Sequence, residues 1–505
     1  MKLRVLLANV LFIFSFCWSC SGSSDCSNSP LADIALSYLE AQENDQALEI
    51  TQAIDKPASQ VRLLTKIAVE YARTEQKGQA EALFNQALQI VNQSDLPIER
   101  AVKLEEIAQQ YGKAGQKAQA SQVLSQALQV ADNIWGASFI KDTVLERIAV
   151  RYAEIGDFEQ GIQVAETIVG NIPQSRALGQ IALKYAETGN YPQARELAQT
   201  IESKDSQAIA LARIEANTGK YQAALKAAQQ IEDIEHKSII LAQLAILYEK
   251  AQQLEPAMDI LSHSLEAARG IEQAPNQAEQ LAKIARIYLE LGEREQAIEI
   301  FSLALQTAQE IETIGKKVQT LTTISTNLAQ AGQKEQAESS FNQGLQIAQT
   351  FSKEENQQAS LANLAIISAQ IKTYNQVLEV IPTIVEESTT QVGVLREIAH
   401  NYAEAGQREQ ANQVLTEALQ IAQSLENPEA KAQNLAHIAF EYAKIEDYGQ
   451  AIALTNTIGA TGHESIQASS LAKIGGLYAQ DQQKDKAIEL LSQARKIAKQ
   501  AKCST

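Results

Sequence analysis

Apolar residues recur along this chain at helical spacing. In QLAKIARIYLELGEREQAIEIFSLALQ, residues 280–306, Leu281, Ile284, Ala285 and Tyr288 stand at i, i+3, i+4 and i+7. That spacing puts them on one face of an α-helix. Gly292 follows, and glycine readily takes the left-handed conformation that ends a helix. The period then resumes with Ala297, Ile300, Phe301 and Ala304. The stretch therefore predicts two helices joined by a tight turn, each with one apolar face. No alternation of β-branched residues stands out as a strand, so the expected class is all-α.

The same pattern returns along the chain. Anchored on its first apolar position, it begins at Leu31, Leu64, Leu104, Leu145, Leu178, Ala208, Leu241, Leu281, Leu321, Leu361, Leu395, Leu435 and Leu471. These 13 repeats are spaced by 33, 40, 41, 33, 30, 33, 40, 40, 40, 34, 40 and 36 residues. A helix pair that cannot bury its apolar face alone must stack on its neighbours. Three columns carry the packing. The small residue after the Ile is Ala except at Ser325 and Gly475, and three positions on stands Tyr except at Glu215, Leu328 and Ser368. The residue opening the second helix's apolar face is Ala except at Gly161 and Val377. Ala lets two helix axes approach, and Tyr fills the space between repeats while its hydroxyl reaches the edge.

On these columns the chain resembles the tetratricopeptide repeat, whose signature is W-x2-L-G-x2-Y, then A-x3-F, then A and P. Leu281, Ile284, Ala285, Tyr288, Ala297, Phe301 and Ala304 fall on that spacing, and Pro275 falls where the family closes a repeat. Pro57, Pro97, Pro173 and Pro428 sit close to the same place. The resemblance covers roughly residues 31–500. It implies a right-handed α-solenoid of stacked antiparallel helix pairs, with the first helices lining a concave ligand surface.

The chain departs from that family in length. Six spacings of 40 or 41 residues add about six residues, mostly after A-L-Q-I-A. If helical, they lengthen the second helix by roughly 9 Å at 1.5 Å per residue. Most short repeats carry an aromatic two residues past the turn: Phe158, Tyr191, Tyr221, Tyr374 and Tyr448. Three short repeats stand together from Leu145 to about Ile240, where a change of superhelical curvature is expected. The final helix carries Lys486, Arg495, Lys496, Lys499 and Lys502. It reads as the polar cap that an open array requires.

Composition narrows the partners. The chain has 505 residues and a net charge of −18, with no basic stripe. Such a surface repels a phosphate backbone, so nucleic acid is not an expected partner. The beginning of the chain is of another kind. Lys2 and Arg4 precede an apolar run from Val5 to Phe16, then Cys17-Trp18-Ser19-Cys20. A basic segment followed by an apolar one of this length reads as a signal peptide over residues 1–19, and it is short for a membrane span. It resembles a bacterial lipoprotein signal, in which the cysteine after the cut is lipidated. Cys17 stands where that pattern usually has Leu, and an ordinary signal cut near Ser19–Gly22 is the competing reading. The resemblance implies lipidation at Cys20, a flexible tether over residues 20–30 and a repeat array over 31–502. It also implies export to a bacterial cell envelope membrane, or otherwise to the periplasm or medium. A Cys26–Cys503 disulfide is not expected, because it would join the two ends of an elongated array.

Catalytic motifs are not evident, and no enzyme activity, cofactor or metal is expected. None of His236, His263, His400, His437 and His463 forms HExxH or pairs with Cys at zinc spacing. Tyr111-Gly112-Lys113-Ala114-Gly115-Gln116-Lys117 has the wrong spacing for a phosphate loop and is the repeat's own turn. Glu105–Glu106 reads as a solvated pair on a helix. Trp135 reads either as a plug between repeats or as an exposed partner contact. In one subclass of the resembled family, Lys and Asn four apart grip a peptide carboxylate. The corresponding pairs here include Gly179–Leu183, Ile209–Arg213, Ala242–Ile246, Ala282–Arg286, Ala362–Ile366, Arg396–His400 and Ala436–Phe440. No Lys–Asn pair appears, so that clamp is not expected. Many of these residues are small or aliphatic, so the inner face suits an apolar strip of a helix or extended peptide; alternatively, neighbouring helices cover Leu183, Ile246 and Ile366. Candidate groove residues are Arg213, Arg286, Arg396, His400 and Phe440. The expected function is a non-catalytic exported scaffold for a protein or peptide partner. A structural spacer or self-associating envelope subunit is the alternative.

Overall fold

The computed structural model describes residues 30–135, 138–348, 388–404 and 406–501. Every element among them is helical, and no strand occurs. The helices come in antiparallel pairs, numbered α1 to α24 in chain order. The first pair is α1 (Pro30–Glu40) and α2 (Asn44–Gln52). The last is α23 (Glu464–Gln480) and α24 (Lys484–Gln500). Twelve of the thirteen anticipated repeats lie in the described residues. The tenth, with Tyr374, Val377 and Ile366, lies outside them.

The columns do what packing requires. Ala285, Ala297 and Ala304 are fully buried, Tyr288 nearly so, and Gly292 turns the chain at φ 92°. Pro57, Pro97 and Pro428 open their helices and Pro275 is second in its own, where a missing N–H costs nothing. The length difference resides in the second helices. Those of the short repeats α8 (Phe158–Glu166), α10 (Tyr191–Gln199) and α12 (Tyr221–Gln229) have 9 residues, against 16 in α16 (Arg294–Gln309). Phe158, Tyr221 and Tyr448 open their second helices and meet the next repeat's Tyr column. Phe158 stacks on Tyr185 at 3.8 Å, and Tyr448 on Tyr478 at 3.8 Å, between ring centroids.

Two exceptions in the columns have a cause in the packing. Gly161 sits where a Cβ would lie 2.8 Å from the Ala149 carbonyl oxygen, so that crossing is too tight even for Ala. Glu215 replaces Tyr and takes both Nε and Nη2 of Arg195.

Neighbouring first helices pack on one another, whereas second helices are splayed apart. The stack therefore curves with the first helices on its inner side. The curve brings the two ends of the described chain together. α1 packs on α23 and α24 as a first helix packs on the repeat before it. Lys484 Nζ lies 2.7 Å from Glu43 Oε1, Lys473 Nζ lies 3.6 Å from Asp33 Oδ2, and Arg495 pairs with Glu49. The final helix is thus a junction and not the polar cap anticipated from its lysines. The described stack runs unbroken from the eleventh repeat through the thirteenth to the first and on to the ninth. Cys26 and Cys503 lie outside the described residues. The elongated array that argued against their pairing is not the architecture observed.

Candidate functional site on the concave face

Three consecutive first helices build a cleft: α9 (Asn171–Glu187), α11 (Lys204–Asn217) and α13 (Ile234–Lys250). Its volume is about 220 Å³ and one side is open. Leu183, Ile240, Leu244 and Leu247 form the apolar wall, and Glu187, Arg213, Asn217 and Gln243 supply polar groups. The short spacings of 30 and 33 residues bring these helices together without a long second helix between them.

Arg213 is half-buried, and its Nη2 donates to Gln243 Oε1 at 2.9 Å. Burial pushes its guanidinium below the ordinary value. No carboxylate stands within ion-pair distance among the described residues, because Glu187 is taken by Lys184 Nζ at 2.8 Å. The cleft thus offers a cation with unused donors beside an aliphatic wall.

The other anticipated residues are placed differently. Arg286 spends its charge within its own helix, α15 (Ala274–Glu290), on Glu290 Oε1 at 2.5 Å. Arg396 and His400 on α19 (Ser388–Glu404) and Phe440 on α21 (Pro428–Lys444) come together on adjacent helices. His400 lies between Glu441 Oε2 and Glu404 Oε1, each at 3.4 Å. The Glu441 contact raises the His400 pKa above its ordinary value, against burial and the nearby Lys444 charge. Burial would push the Glu441 carboxyl up, but His400 and Lys444 outweigh it and hold it below the usual range. Lys444 Nζ sits 4.9 Å over the Phe440 ring. Arg396 Nε is buried without a hydrogen-bond partner, and burial lowers its guanidinium despite Glu441 and Glu397. Arg213 stands on α11, Arg286 on α15, and the Arg396 cluster on α19 and α21.

Two expectations are corrected. Glu105 is not a solvated surface residue: it is 1% exposed, and Arg147 and Arg151 both donate to it. Burial would lower the Arg151 guanidinium, but Glu105 and Glu154 outweigh it and raise it. Glu106 instead pairs with Lys103 at 2.7 Å. Trp135 is no plug, since 91% of its surface is exposed. Leu183 lines the cleft half-buried, while Ile246 packs partly buried against the core. Ala242 and Ala282, the first members of their pairs, are buried between helices. Sequence reasoning missed Gln243 and Leu247, one position further round each turn. Periodicity defines a helix face but not how far the next helix covers it.

Among the described residues no group of His, Cys, Asp or Glu could hold a metal ion. The geometry defines a helical-repeat protein whose inner wall carries the clefts. Residues 279–310 match the family model of the tetratricopeptide repeat. No curated protein matches the chain. Solved structures with matching helical repeats include Ton1535 from Thermococcus onnurineus NA1, at 14% identity and TM-score 0.24, covering 88% of this chain and 99% of that one. A Rap protein complexed with competence and sporulation factor matches at 12% identity and TM-score 0.26, over 80% and 99%. TPR-like repeats of a putative kinesin light chain from Podosopora anserina match at 14% and 0.22, over 52% and 100%. At these TM-scores the likenesses are loose.

Proposed function

We propose that this chain is a non-catalytic, exported scaffold that binds a protein or peptide segment along its concave face. The observation carrying this reading is the cleft across α9, α11 and α13, where Arg213 has no acidic partner beside Leu183, Leu244 and Leu247. A preformed wall of this kind binds with little ordering cost, and an aliphatic wall with one unused cation favours an apolar segment bearing a carboxylate. The lipoprotein-like segment before the array supports export and attachment of Cys20 to a bacterial envelope membrane. That anchor is the membrane contact this reading requires, and no helix among the described residues is long and apolar enough to cross a membrane.

A photo-crosslinking side chain at Gln243 tests the site, with Glu299 on the convex helix α16 as control. Expected is a partner trapped from the envelope at Gln243 and not at Glu299, and lost with Arg213→Glu. Recovery of this chain alone replaces the scaffold with a self-associating subunit. Equal trapping at both positions removes the cleft from the proposal. Lipid labelling that persists in Cys20→Ser removes the anchor.

A further inference from the structure

One rim of the array is unlike the rest. Each helix pair returns the chain to the side where it started, so all turns from a second helix into the next first helix lie along one rim. Five of these turns share a design: a buried isoleucine, then an acid facing water. Ile54-Asp55, Ile201-Glu202, Ile231-Glu232, Ile271-Glu272 and Ile311-Glu312 follow it. Two consecutive turns put a large apolar residue in the acid's place. Trp135 follows Ile134, and Val169 follows buried Ile168, with 91% and 85% of their surfaces exposed. Phe139 and Ile172 in the first turns of α7 (Ser138–Glu154) and α9 are exposed as well, as is Leu96 one turn earlier along the rim. Large apolar groups thus stand in the acid's place at two neighbouring turns, and exposed Leu96 follows exposed Asp95 in the turn before them.

The backbone under this patch is held. Buried Asp142 accepts from the Val169 N–H at 3.3 Å and the Gly170 N–H at 3.0 Å. Val169 is therefore presented outward by a fixed turn. Exposed apolar surface of this extent marks an interaction site, and Trp and Phe favour the interface between water and lipid.

Position along the chain selects the occupant. α1 is a first helix, so the chain enters the array at Pro30 on this same rim. Cys20 lies ten residues upstream, a reach of at most about 35 Å at 3.3–3.6 Å per residue. A lipid anchored there would hold this rim towards the bilayer, while a net charge of −18 opposes anionic surfaces. We propose that the rim formed by Leu96, Trp135, Phe139, Val169 and Ile172 docks on an uncharged lipid surface, seating the array with its concavity at a fixed tilt to the membrane. This rests on the lipid-anchor reading for the tether, but the two are measured separately.

The test uses the full chain with Trp18→Phe, made in a bacterium that processes lipoproteins, so that Trp135 is its remaining tryptophan. It is mixed with phosphatidylcholine vesicles carrying brominated acyl chains. Vesicle flotation reports attachment, and quenching of Trp135 reports contact of the rim. Expected are flotation with Trp135 emission quenched at least twofold. Val169→Glu with Ile172→Glu, which restores acids at exposed positions, should abolish quenching while flotation persists. Unchanged helicity by circular dichroism confirms that this variant is folded. Flotation without quenching in the parent overturns the rim proposal and leaves the anchor standing. Quenching that survives Cys20→Ser supports the rim and removes the anchor. Absence of both overturns both. A doubled mass in sedimentation, with Trp135 shielded by a second copy and unquenched by lipid, overturns the bilayer in favour of self-association.

Discussion

Lys484 Nζ on the last helix lies 2.7 Å from Glu43 Oε1, which stands at the start of the second. Around this pair the first and last repeats pack as neighbours. Both partners are partly exposed, so the ion pair itself contributes at most about 1 kcal/mol. Gly476 also fits closely at this junction. A Cβ there would lie 2.4 Å from Glu40 Oε2 and 3.1 Å from Ser37 Oγ. Gly476→Leu should weaken the junction by about 1–3 kcal/mol through overpacking and enlarge the radius of gyration in small-angle scattering. An unchanged scattering profile would show that the ends do not depend on this contact.

Gly161→Ala should destabilise the protein. In an exposed helix the same change usually stabilises by about 0.5–1 kcal/mol. Here the new Cβ meets the Ala149 carbonyl oxygen at 2.8 Å, and backbone cannot move aside as a side-chain tip can. Ala285→Leu, at a fully buried crossing, should likewise cost about 1–3 kcal/mol. Thermal denaturation reads both, and a raised melting temperature for Gly161→Ala would contradict the close crossing.

Column spelling made the helix pairs legible in advance, and even the lengthened second helices. Ala and Tyr report on contacts between adjacent repeats, which are local. Arg495–Glu49 and Lys484–Glu43 were not legible, because each repeat's small rotation accumulates and spelling does not state its sum. The inner wall was half legible. Leu183 and Arg213 fell on the right helix face, but Glu105 lies under Arg147, a cover supplied by another repeat.

Removing the Glu105 carboxylate should be costly. Glu105→Ala leaves Arg147 and Arg151, 41% and 23% exposed, to turn towards water. The expected loss is about 1–3 kcal/mol, seen as a lower urea midpoint. Glu105→Gln keeps an acceptor and should lose less. Equal losses for the two variants would mean that the charge and not the hydrogen bond is the stabilising element.

His400 should make stability depend on pH. Glu441, Glu404 and Lys444 surround it, and its pKa is raised. A raised folded-state pKa means that the contribution is fully present below the ordinary histidine value of about 6.5. It is lost as pH rises through the raised value. His400→Gln should therefore lower the melting temperature at pH 5.5, by an amount equivalent to about 0.5 kcal/mol, and leave it nearly unchanged at pH 9. A deficit that grows with pH would reverse the sign and refute the pairing with Glu441.

The meeting of α1 with α23 also bears on how this protein is made. Repeat arrays are ordinarily assembled from local contacts, so folding can spread from any repeat as the chain emerges. Here the first helix finds its last partner only after Lys484 and Arg495 have been synthesised, and loop closure over so long a chain is an entropic and kinetic burden. Until then, the face of Tyr38 that meets Ser492 on α24 stays open to water. Completion of the chain, and not completion of each repeat, is the event that finishes the fold.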